Sequence, residues 1–421
     1  MGKLITFCDE KIFFIVCSGE LILDKELLHE VFRREMNDRK IPLSLGKTCP
    51  VKCAFCYEKD TGYRTTFDTP LTTQEDWEYI LKQIQAYPTG TEHWVVGGNE
   101  YMEWTDLFLH PRAMDWLNEF LDTTDKNITL FTVGYTPANA INRLAEKYPG
   151  RINFELSVIT LGSYRKRLMP HGPTVDQVLK ILDGPAVTSA NFYSLGPDTM
   201  YADAIKVSQV NKKCLLWMGC LTPLKYIDRD TTMLMRQGKK FLPREAKKIY
   251  EANLPNSTMI QTESDITAFL NRNKIIKTFD ACELEKKDAV VMAGNVYKVM
   301  SLLRKNRARY LYVPNDTLGG DSNCSTLLTF DDVGRRLTNE KRVFLPKVIM
   351  EGSSGEEKDI SGATFDEFKS RFPNCNFKVL HKVNSKLSNK KLYEKGYLKN
   401  YVEDYLGNPL HEKFEAVALP N

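Results

Sequence analysis

The sequence predicts an α/β fold in which a partial, TIM-like (β/α)6 barrel is followed by a smaller α/β domain. From residue 41 to about residue 230, six short apolar runs of strand length alternate with longer amphipathic runs of helical period. Strands that alternate with helices form parallel βαβ units, and the right-handed crossover rule curls a series of such units into a barrel or part of one. A second and shorter series of strands and helices begins near residue 286.

The elements of the first 230 residues follow from local patterns. Residues 1–40 predict an N-terminal extension with a short strand pair and a helix over 23–39, where apolar positions recur at helical spacing. Helices of the barrel include 73–86, 113–122, 136–147 and 175–182. The six barrel strands are predicted at 41–45, 93–96, 128–133, 152–158, 189–193 and 214–218.

The rest of the chain is predicted to form two further segments. Residues 231–285 are mostly helical and polar, which indicates a helical bridge after the barrel segment 41–230. Residues 286–421 predict the smaller α/β domain, with a Gly/Ser/Asp-rich loop over 315–325. Its strands are predicted at 288–292, 308–313 and 342–350, and its helices at 296–305 and 329–337.

Composition and charge exclude several classes of protein. The 421 residues are 42% hydrophobic and 27% charged, which is typical of a globular protein. The net charge of +4, from 58 basic and 54 acidic residues, is too balanced to indicate a nucleic-acid partner. No apolar stretch approaches the roughly 18 residues of a membrane span, and the N-terminus lacks the features of a signal peptide. We therefore expect a cytoplasmic protein without a membrane partner.

Three of the ten cysteines are clustered in a loop after the first predicted strand. Cys49, Cys53 and Cys56 have the spacing C-x3-C-x2-C. Clustered cysteines in an intracellular chain indicate a metal site. Three thiolates can hold a four-iron four-sulfur (4Fe-4S) cluster and leave one iron open for a small molecule. Zinc is the alternative, although it usually takes four protein ligands and neither a histidine nor a second close cysteine pair is nearby.

This loop, with Phe55 before its third cysteine, resembles the radical S-adenosyl-L-methionine (radical SAM) superfamily. The resemblance implies a radical SAM barrel that carries a 4Fe-4S cluster on Cys49, Cys53 and Cys56, with S-adenosylmethionine (SAM) bound to the open iron. It also implies that SAM is cleaved reductively to a 5′-deoxyadenosyl radical, which abstracts hydrogen from the substrate. Such an enzyme needs an electron donor such as flavodoxin or ferredoxin.

A second motif follows the next predicted strand. Gly97, Gly98, Asn99 and Glu100 resemble the superfamily's glycine-rich motif, which receives the SAM amino group. Glycines there let the backbone approach the ligand closely. The usual motif has the acid directly after the two glycines, so the inserted Asn99 leaves open whether Asn99 or Glu100 makes the contact. A simple strand-to-helix turn is the alternative.

The resemblance implies further SAM contacts in the loop and in later strands. An aromatic ring would pack near the adenine, and polar and basic residues would contact the ribose or the SAM carboxylate. For Arg165, a surface arginine without such a role is the alternative. The remaining candidate contacts are Phe55, Ser157, Arg165, Asn191, Tyr193 and Met218.

From residue 41 onward the chain more closely resembles one uncharacterised radical SAM group. The similarity lies in residues 157–169, 215–226, 319–321, 325–332 and 344–346. Members of that group end in a domain of unknown function and usually begin with a PDZ-like segment. Residues 1–40 do not form a whole module of that kind, and the resemblance implies no particular substrate.

Among the other cysteines, Cys324 is the candidate for chemistry. It lies in the loop 315–325 and could be a ligand or a hydrogen-atom donor, or alternatively a half-buried thiol in a turn. Cys214 and Cys220 flank the sixth predicted strand and are expected to be core thiols.

The leading function is therefore a radical SAM enzyme that acts on a small molecule or a peptide. An RNA-modifying radical SAM enzyme is one alternative, although no basic and aromatic RNA-binding motif is present. A non-catalytic iron–sulfur or zinc-binding protein is another. We expect the C-terminal domain to cap the open side of the barrel, with the loop 315–325 reaching inward.

Overall fold

The fold is α/β with parallel sheets, as predicted, in a computed structural model of the chain. None of the helices in the described part of the chain is long and apolar enough to span a membrane. The structure describes residues 4–5, 14–17, 20–22, 36, 40–43, 51–56, 71–87, 93–96, 106–135, 137–254, 257–259, 264–303, 308–317, 319, 328–350, 359, 361, 363–380 and 397–420.

The chain divides into two compact units. The first contains Met1–Phe192 and Ile205–Leu215, and the second contains Tyr193–Ala204 and Leu216–Asn421. The chain therefore enters the second unit twice. The predicted division into segments 1–40, 41–230, 231–285 and 286–421 stays a prediction.

A small antiparallel sheet lies in the N-terminal extension. Strand β1 (Leu4–Ile5) pairs with β2 (Phe14–Cys17), which also pairs with β3 (Glu20–Ile22). The sequence predicts a strand pair here, and the structure adds a third strand. The predicted helix over 23–39 falls almost entirely outside the described residues.

Five consecutive parallel strands organise the first unit, and they are five of the six predicted barrel strands. Each strand lies beside the next one in the sequence, which is the order that consecutive βαβ units produce. The strands are β4 (Lys40–Ile41), β5 (His93–Val96), β6 (Asn127–Thr132), β7 (Ile152–Ile159) and β8 (Val187–Ser194).

Local sequence signals explain where the helices of this region begin. Thr73 and Thr174 each form a capping box with the residue three positions later. Pro137 precedes the third helix, which therefore begins two residues later than predicted. The helices are α1 (Gln74–Ala86), α2 (Ala113–Thr123), α3 (Ala138–Lys147), α4 (Arg165–Leu168), α5 (Val175–Leu182) and α6 (Thr199–Val210), the last of which has residues in both units.

The two faces of β7 differ in chemistry. Ile152, Phe154, Leu156 and Val158 alternate along the strand and are all buried. Leu156 lies close to Ile181 of α5, since a Cβ added to the intervening Gly134 would meet side-chain carbons of both within 3.4 Å. This face therefore carries the apolar core. The opposite face presents Asn153, Glu155 and Ser157.

In the second unit, β9 (Leu215–Cys220) pairs in parallel with β10 (Ser257–Met259). The sequence predicts mostly helix over 231–285, so β10 is a correction to that prediction. It is only three residues long and therefore too short to produce a periodic pattern. The predicted helical character is otherwise confirmed by α7 (Arg229–Glu251), α8 (Ser264–Leu270) and α9 (Arg272–Asp280).

Helix α7 packs closely on the end of β8. A Cβ added to Gly238 would lie 1.9 Å from the Ser194 carbonyl oxygen, so only glycine allows this approach. Glu245 is fully buried and accepts hydrogen bonds from the Ser194 hydroxyl and, at 3.1 Å, from the Tyr201 amide. Burial raises the pKa of the Glu245 carboxyl, and these hydrogen bonds oppose the rise.

A four-stranded parallel sheet follows, in the order β12-β11-β13-β14. Its strands are β11 (Ala289–Met292), β12 (Arg309–Tyr312), β13 (Arg342–Pro346) and β14 (Asn376–Leu380). The predicted strand 342–350 was too long, because a 3-10 turn over Lys347–Ile349 follows Pro346. The sequence does not predict β14. The helices of this region are α10 (Gly294–Leu303), α11 (Phe330–Gly334), α12 (Phe365–Ser370), α13 (Tyr397–Lys399) and α14 (His411–Glu415), with a π-helical turn over Asn400–Leu406.

A buried ion pair joins the starts of β11 and β13. The Asp288 side chain is fully buried, and Arg342 Nε donates to its Oδ1 at 2.7 Å. The Arg342 guanidinium lowers the pKa of the Asp288 carboxyl. Phe330, Phe365 and Phe368 stack on one another and form the aromatic part of the core of this sheet.

Candidate functional site

Two of the three predicted cluster cysteines lie among the described residues. Cys53 and Cys56 are half-buried, and the Cys56 amide donates to the Cys53 carbonyl at 3.2 Å. A turn closed in this way keeps the Cα atoms of its end residues within about 7 Å, so two thiols can reach one metal centre. Lys52, directly before the turn, has a left-handed backbone with φ of +48°. Cys49 lies outside the described residues.

The complete cysteine set therefore stays a prediction. Within the described ranges, no group of three or more His, Cys, Asp or Glu side chains is placed to hold a metal ion. Those ranges do not include Cys49, the ligand that would complete the predicted set.

The cysteine turn is bound to the segment that follows β7. The amide of Ala54, between the two cysteines, donates to the carbonyl of Leu168 at 2.8 Å. Leu168 is the last residue of α4, and the predicted contact Arg165 is the first. The fold thus brings the cysteine turn close to α4, which begins at Arg165.

Arg165 is buried, with 4% of its surface exposed, so the surface-arginine alternative is wrong. Its Nε donates to the Pro173 carbonyl at 2.9 Å, and its Nη1 donates to the Thr160 carbonyl at 3.2 Å and to the Val158 carbonyl. These bonds hold the chain where β7 ends. The predicted contact of Arg165 with SAM stays a prediction.

The end of β7 is strained. Ile159 has a φ of +64°, which is a true outlier for a β-branched residue. The pairing between β7 and β8 also shifts register between Ser157 and Ile159. Strained residues and β-bulges are concentrated at functional sites. This strain lies two residues after the predicted contact Ser157.

Ser157 and Asn191, both predicted SAM contacts, are brought together. They pair directly across β7 and β8, and both are half-buried. The Oδ1 atom of Asn191 is buried and has no hydrogen-bond partner within the described structure. A buried acceptor without a partner is costly, and a ligand donor such as a ribose hydroxyl would satisfy it. The chemistry of this pair therefore fits the predicted cofactor.

Sequence reasoning missed Glu155, on the same face as Ser157. Glu155 is 9% exposed and pairs with Ser189 of β8 and Phe131 of β6. Burial raises the pKa of its carboxyl to about 7. A signal was present in the sequence. Buried parallel strands are usually continuous apolar runs, and Glu155 interrupts such a run in the middle of a strand that lies between two helices.

Tyr193 and Met218 belong to the second unit. Burial, and then the nearby Cys220, raises the pKa of the half-buried Tyr193 to about 12. Met218 is fully buried, as are Cys214 and Cys220, so the prediction of two core thiols is confirmed. Burial raises the pKa of Cys214 to about 12, which keeps it a thiol.

Phe55 lies in the cysteine turn and is half-buried. The other predicted site residues fall outside the described residues, and they are Gly97, Gly98, Asn99, Glu100 and Cys324.

The described start of the loop 315–325 contacts the segment that follows β9. Lys225 Nζ donates to the Asp316 carbonyl at 3.3 Å. Gly319 has a φ of +64°, and a Cβ added there would lie 2.7 Å from Lys225 Cβ. Thr317 anchors the loop by donating its amide to Asp332 Oδ1 at 3.0 Å. Within the second unit, this loop therefore reaches the chain just beyond the carboxyl end of β9.

Comparison with protein-family models gave no match, and comparison with curated proteins gave none.

Proposed function

We propose that this protein is a radical SAM enzyme, which reductively cleaves SAM at a 4Fe-4S cluster and abstracts hydrogen from a small-molecule or peptide substrate. The observation that carries the proposal is the C-x3-C-x2-C loop, two of whose cysteines share one half-buried turn. When bound, the cluster and SAM supply an electron and a 5′-deoxyadenosyl radical.

The residues of this chain hold and orient those groups. The thiolates of Cys49, Cys53 and Cys56 would hold the cluster and leave one iron open for SAM. Asn191 accepts a hydrogen bond from the ribose, an assignment that its unpartnered Oδ1 supports. Arg165 fixes the end of β7 beside the cysteine turn, because its guanidinium is committed to backbone carbonyls there.

The sheet of the first unit belongs, in this proposal, to a partial TIM-like (β/α)6 barrel. The parallel order of β4 to β8 supports it. So does the position of the site residues, since active sites of such barrels lie at the carboxyl ends of the strands. In this proposal the C-terminal domain caps the open side, as expected from the sequence, and the contact between Lys225 and Gly319 lies within the second unit.

The proposed enzyme works in the cytoplasm, where thiols stay reduced. Its partners are an electron donor such as flavodoxin or ferredoxin and a small-molecule or peptide substrate.

The test is iron analysis of anaerobically purified protein, with a SAM cleavage assay. We expect about four irons per chain, together with 5′-deoxyadenosine once a strong reductant is added. The triple variant Cys49→Ala, Cys53→Ala, Cys56→Ala should lose both. The matched control replaces the half-buried Cys282 and Cys375 by Ala and should keep both.

Two outcomes would contradict the proposal. A triple variant that keeps its iron would show that other residues hold the cluster. A wild-type chain that binds about one zinc and no iron would support the zinc alternative, which needs four protein ligands. Circular dichroism of each variant checks that the fold is retained.

A further inference from the structure

Glu155 is a carboxyl group buried in the middle of a sheet. It is nine-tenths buried, and the structure gives its carboxylate no hydrogen-bond or ion-pair partner among the described residues. Burying an ionised carboxylate without a partner is expensive. Such groups in native proteins either serve a function or meet a ligand.

The neighbours of Glu155 supply no compensating charge. Phe131 on β6 and Ser189 on β8 pair with it directly, and Asn191 is the next residue on the same face of β8. None of these side chains is charged, and the Ser189 hydroxyl is directed to the Phe154 carbonyl at 3.5 Å. Burial alone raises the pKa of the Glu155 carboxyl, and no charged side chain of the described residues shifts it.

We infer that the Glu155 carboxylate recognises the positive sulfonium of SAM bound at Ser157 and Asn191. This inference rests on the proposed function. It concerns the selection of the charged cofactor over its neutral thioether relative, S-adenosylhomocysteine (SAH).

The spacing along β7 suits this role. Glu155 and Ser157 are two residues apart on one face, which corresponds to about 7 Å along a strand. The sulfonium is attached to the 5′ carbon of the ribose, so a ribose at Ser157 and Asn191 brings the sulfonium within reach of the Glu155 carboxylate. The amino and carboxylate groups of SAM are occupied at the open iron, which leaves the sulfonium as the unmatched charge.

The titration of Glu155 agrees with this geometry. Burial raises its pKa to about 7, so the carboxyl is partly protonated at neutral pH in the absence of ligand. A cation beside it favours the ionised form. Binding of SAM should therefore release a proton from Glu155, whereas binding of SAH should not.

The experiment measures the dissociation constants of SAM and SAH by anaerobic calorimetry, without reductant, on full-length reconstituted protein. In Glu155→Gln, which keeps the shape and removes the charge, SAM affinity should fall by about tenfold or more while SAH affinity changes little. Repeating the SAM titration in buffers of different ionisation enthalpy should show that the wild type releases more protons than the variant, since the SAM amino group loses its own proton at the iron in both proteins. The control Glu146→Gln, an exposed acid in α3, should match the wild type in every titration.

The outcomes separate the two proposals. Equal weakening of both ligands in Glu155→Gln, or no change in either, would overturn the role of Glu155 and leave the proposed function standing. A wild-type chain with its iron that binds neither ligand would contradict the proposed function itself. Thermal unfolding of Glu155→Gln checks that a loss of affinity is not a loss of fold.

Discussion

At the scale of single residues, Glu155 is expected to make the protein less stable as the pH rises. Burial raises the pKa of its carboxyl from 4.5 to about 7, so between these values the folded chain holds the proton more tightly than the unfolded chain. The free energy of unfolding must therefore fall through that window. The fall from Glu155 is complete above pH 7 and amounts to about 3 kcal/mol at most.

This titration is measured by urea unfolding of the wild type and Glu155→Gln at pH 4.5 and pH 8. The two proteins should be similar at the lower pH, and the variant should be more stable by about 1 to 3 kcal/mol at the higher pH. Other groups titrate over the same range, so the difference between the two proteins is the informative quantity. Glu146→Gln is the control. A difference that stays constant with pH would show that Glu155 is not a buried, unpartnered acid.

The sequence predicts single residues well where the chemistry is local. The turn of Cys53 and Cys56 follows from their spacing, and the burial of Cys214 follows from its place beside an apolar strand. The burial of Arg165 could not be predicted, because its partners are backbone carbonyls made available by the shape of the loop. Glu155 was missed because the alternation of side chains assigns each residue to one of two faces of the strand. It does not show whether a polar side chain on that face has a hydrogen-bond partner.

At the scale of elements, prediction succeeds where an apolar pattern coincides with a terminal signal. Helix α5 begins at a capping box of Thr174 and Gln177, and its predicted bounds of 175–182 agree with Val175–Leu182. Strand β14 lacks such signals, since its residues are mostly exposed or half-buried and one of its edges pairs with no described strand. Such a strand is stabilised by its pairing with β13 rather than by the hydrophobic pattern of its own residues.

The packing of α7 on β8 gives a prediction at this scale. Gly238→Ala should destabilise the protein by about 3 kcal/mol, although alanine is the better helix former by about 1 kcal/mol. The steric overlap outweighs the gain in helix propensity, so the free energy of unfolding falls. The new Cβ would lie 1.9 Å from the Ser194 carbonyl oxygen, a backbone atom that cannot rotate away.

Thermal or urea unfolding measures this effect. Gln237→Ala, at the neighbouring exposed position of the same helix, should leave stability within about 0.5 kcal/mol of the wild type. If Gly238→Ala were as stable as Gln237→Ala, the close approach of α7 to Ser194 would be wrong.

At the scale of the whole molecule, the second unit is built from distant parts of the chain. Phe269 in α8 meets the rings of Tyr405 and Phe414, each with centroids 5.1 Å apart. Both contacts join residues that lie far apart in the sequence, so the local patterns used to predict elements do not contain them. Cutting the chain near residue 285 would remove Phe414, which is fully buried. The face of Phe269 that packs against it would then be exposed. A test of the proposed capping therefore needs a point substitution rather than a truncation.

Gly319→Ala is that substitution. It places a Cβ 2.7 Å from Lys225 Cβ at a residue with φ of +64°, so the loop must move away from the segment after β9. The strain should lower the free energy of unfolding by about 1 kcal/mol. If the loop caps the radical site, its displacement admits water and stray hydrogen donors, and iron content stays the same. The variant should then form more 5′-deoxyadenosine than the wild type in the absence of substrate.

Gly150→Ala separates the loss of the cap from backbone strain. Gly150 also has a positive φ, of +76°, but a Cβ there meets nothing within 4 Å. This control should lose a similar amount of stability and keep the wild-type rate of 5′-deoxyadenosine formation. Equal rates in Gly319→Ala and Gly150→Ala would show that the loop does not guard the radical site. A raised rate in Gly319→Ala alone would mean that the Lys225 contact restricts access to that site, since the strain is common to both variants and the displacement of the loop is not.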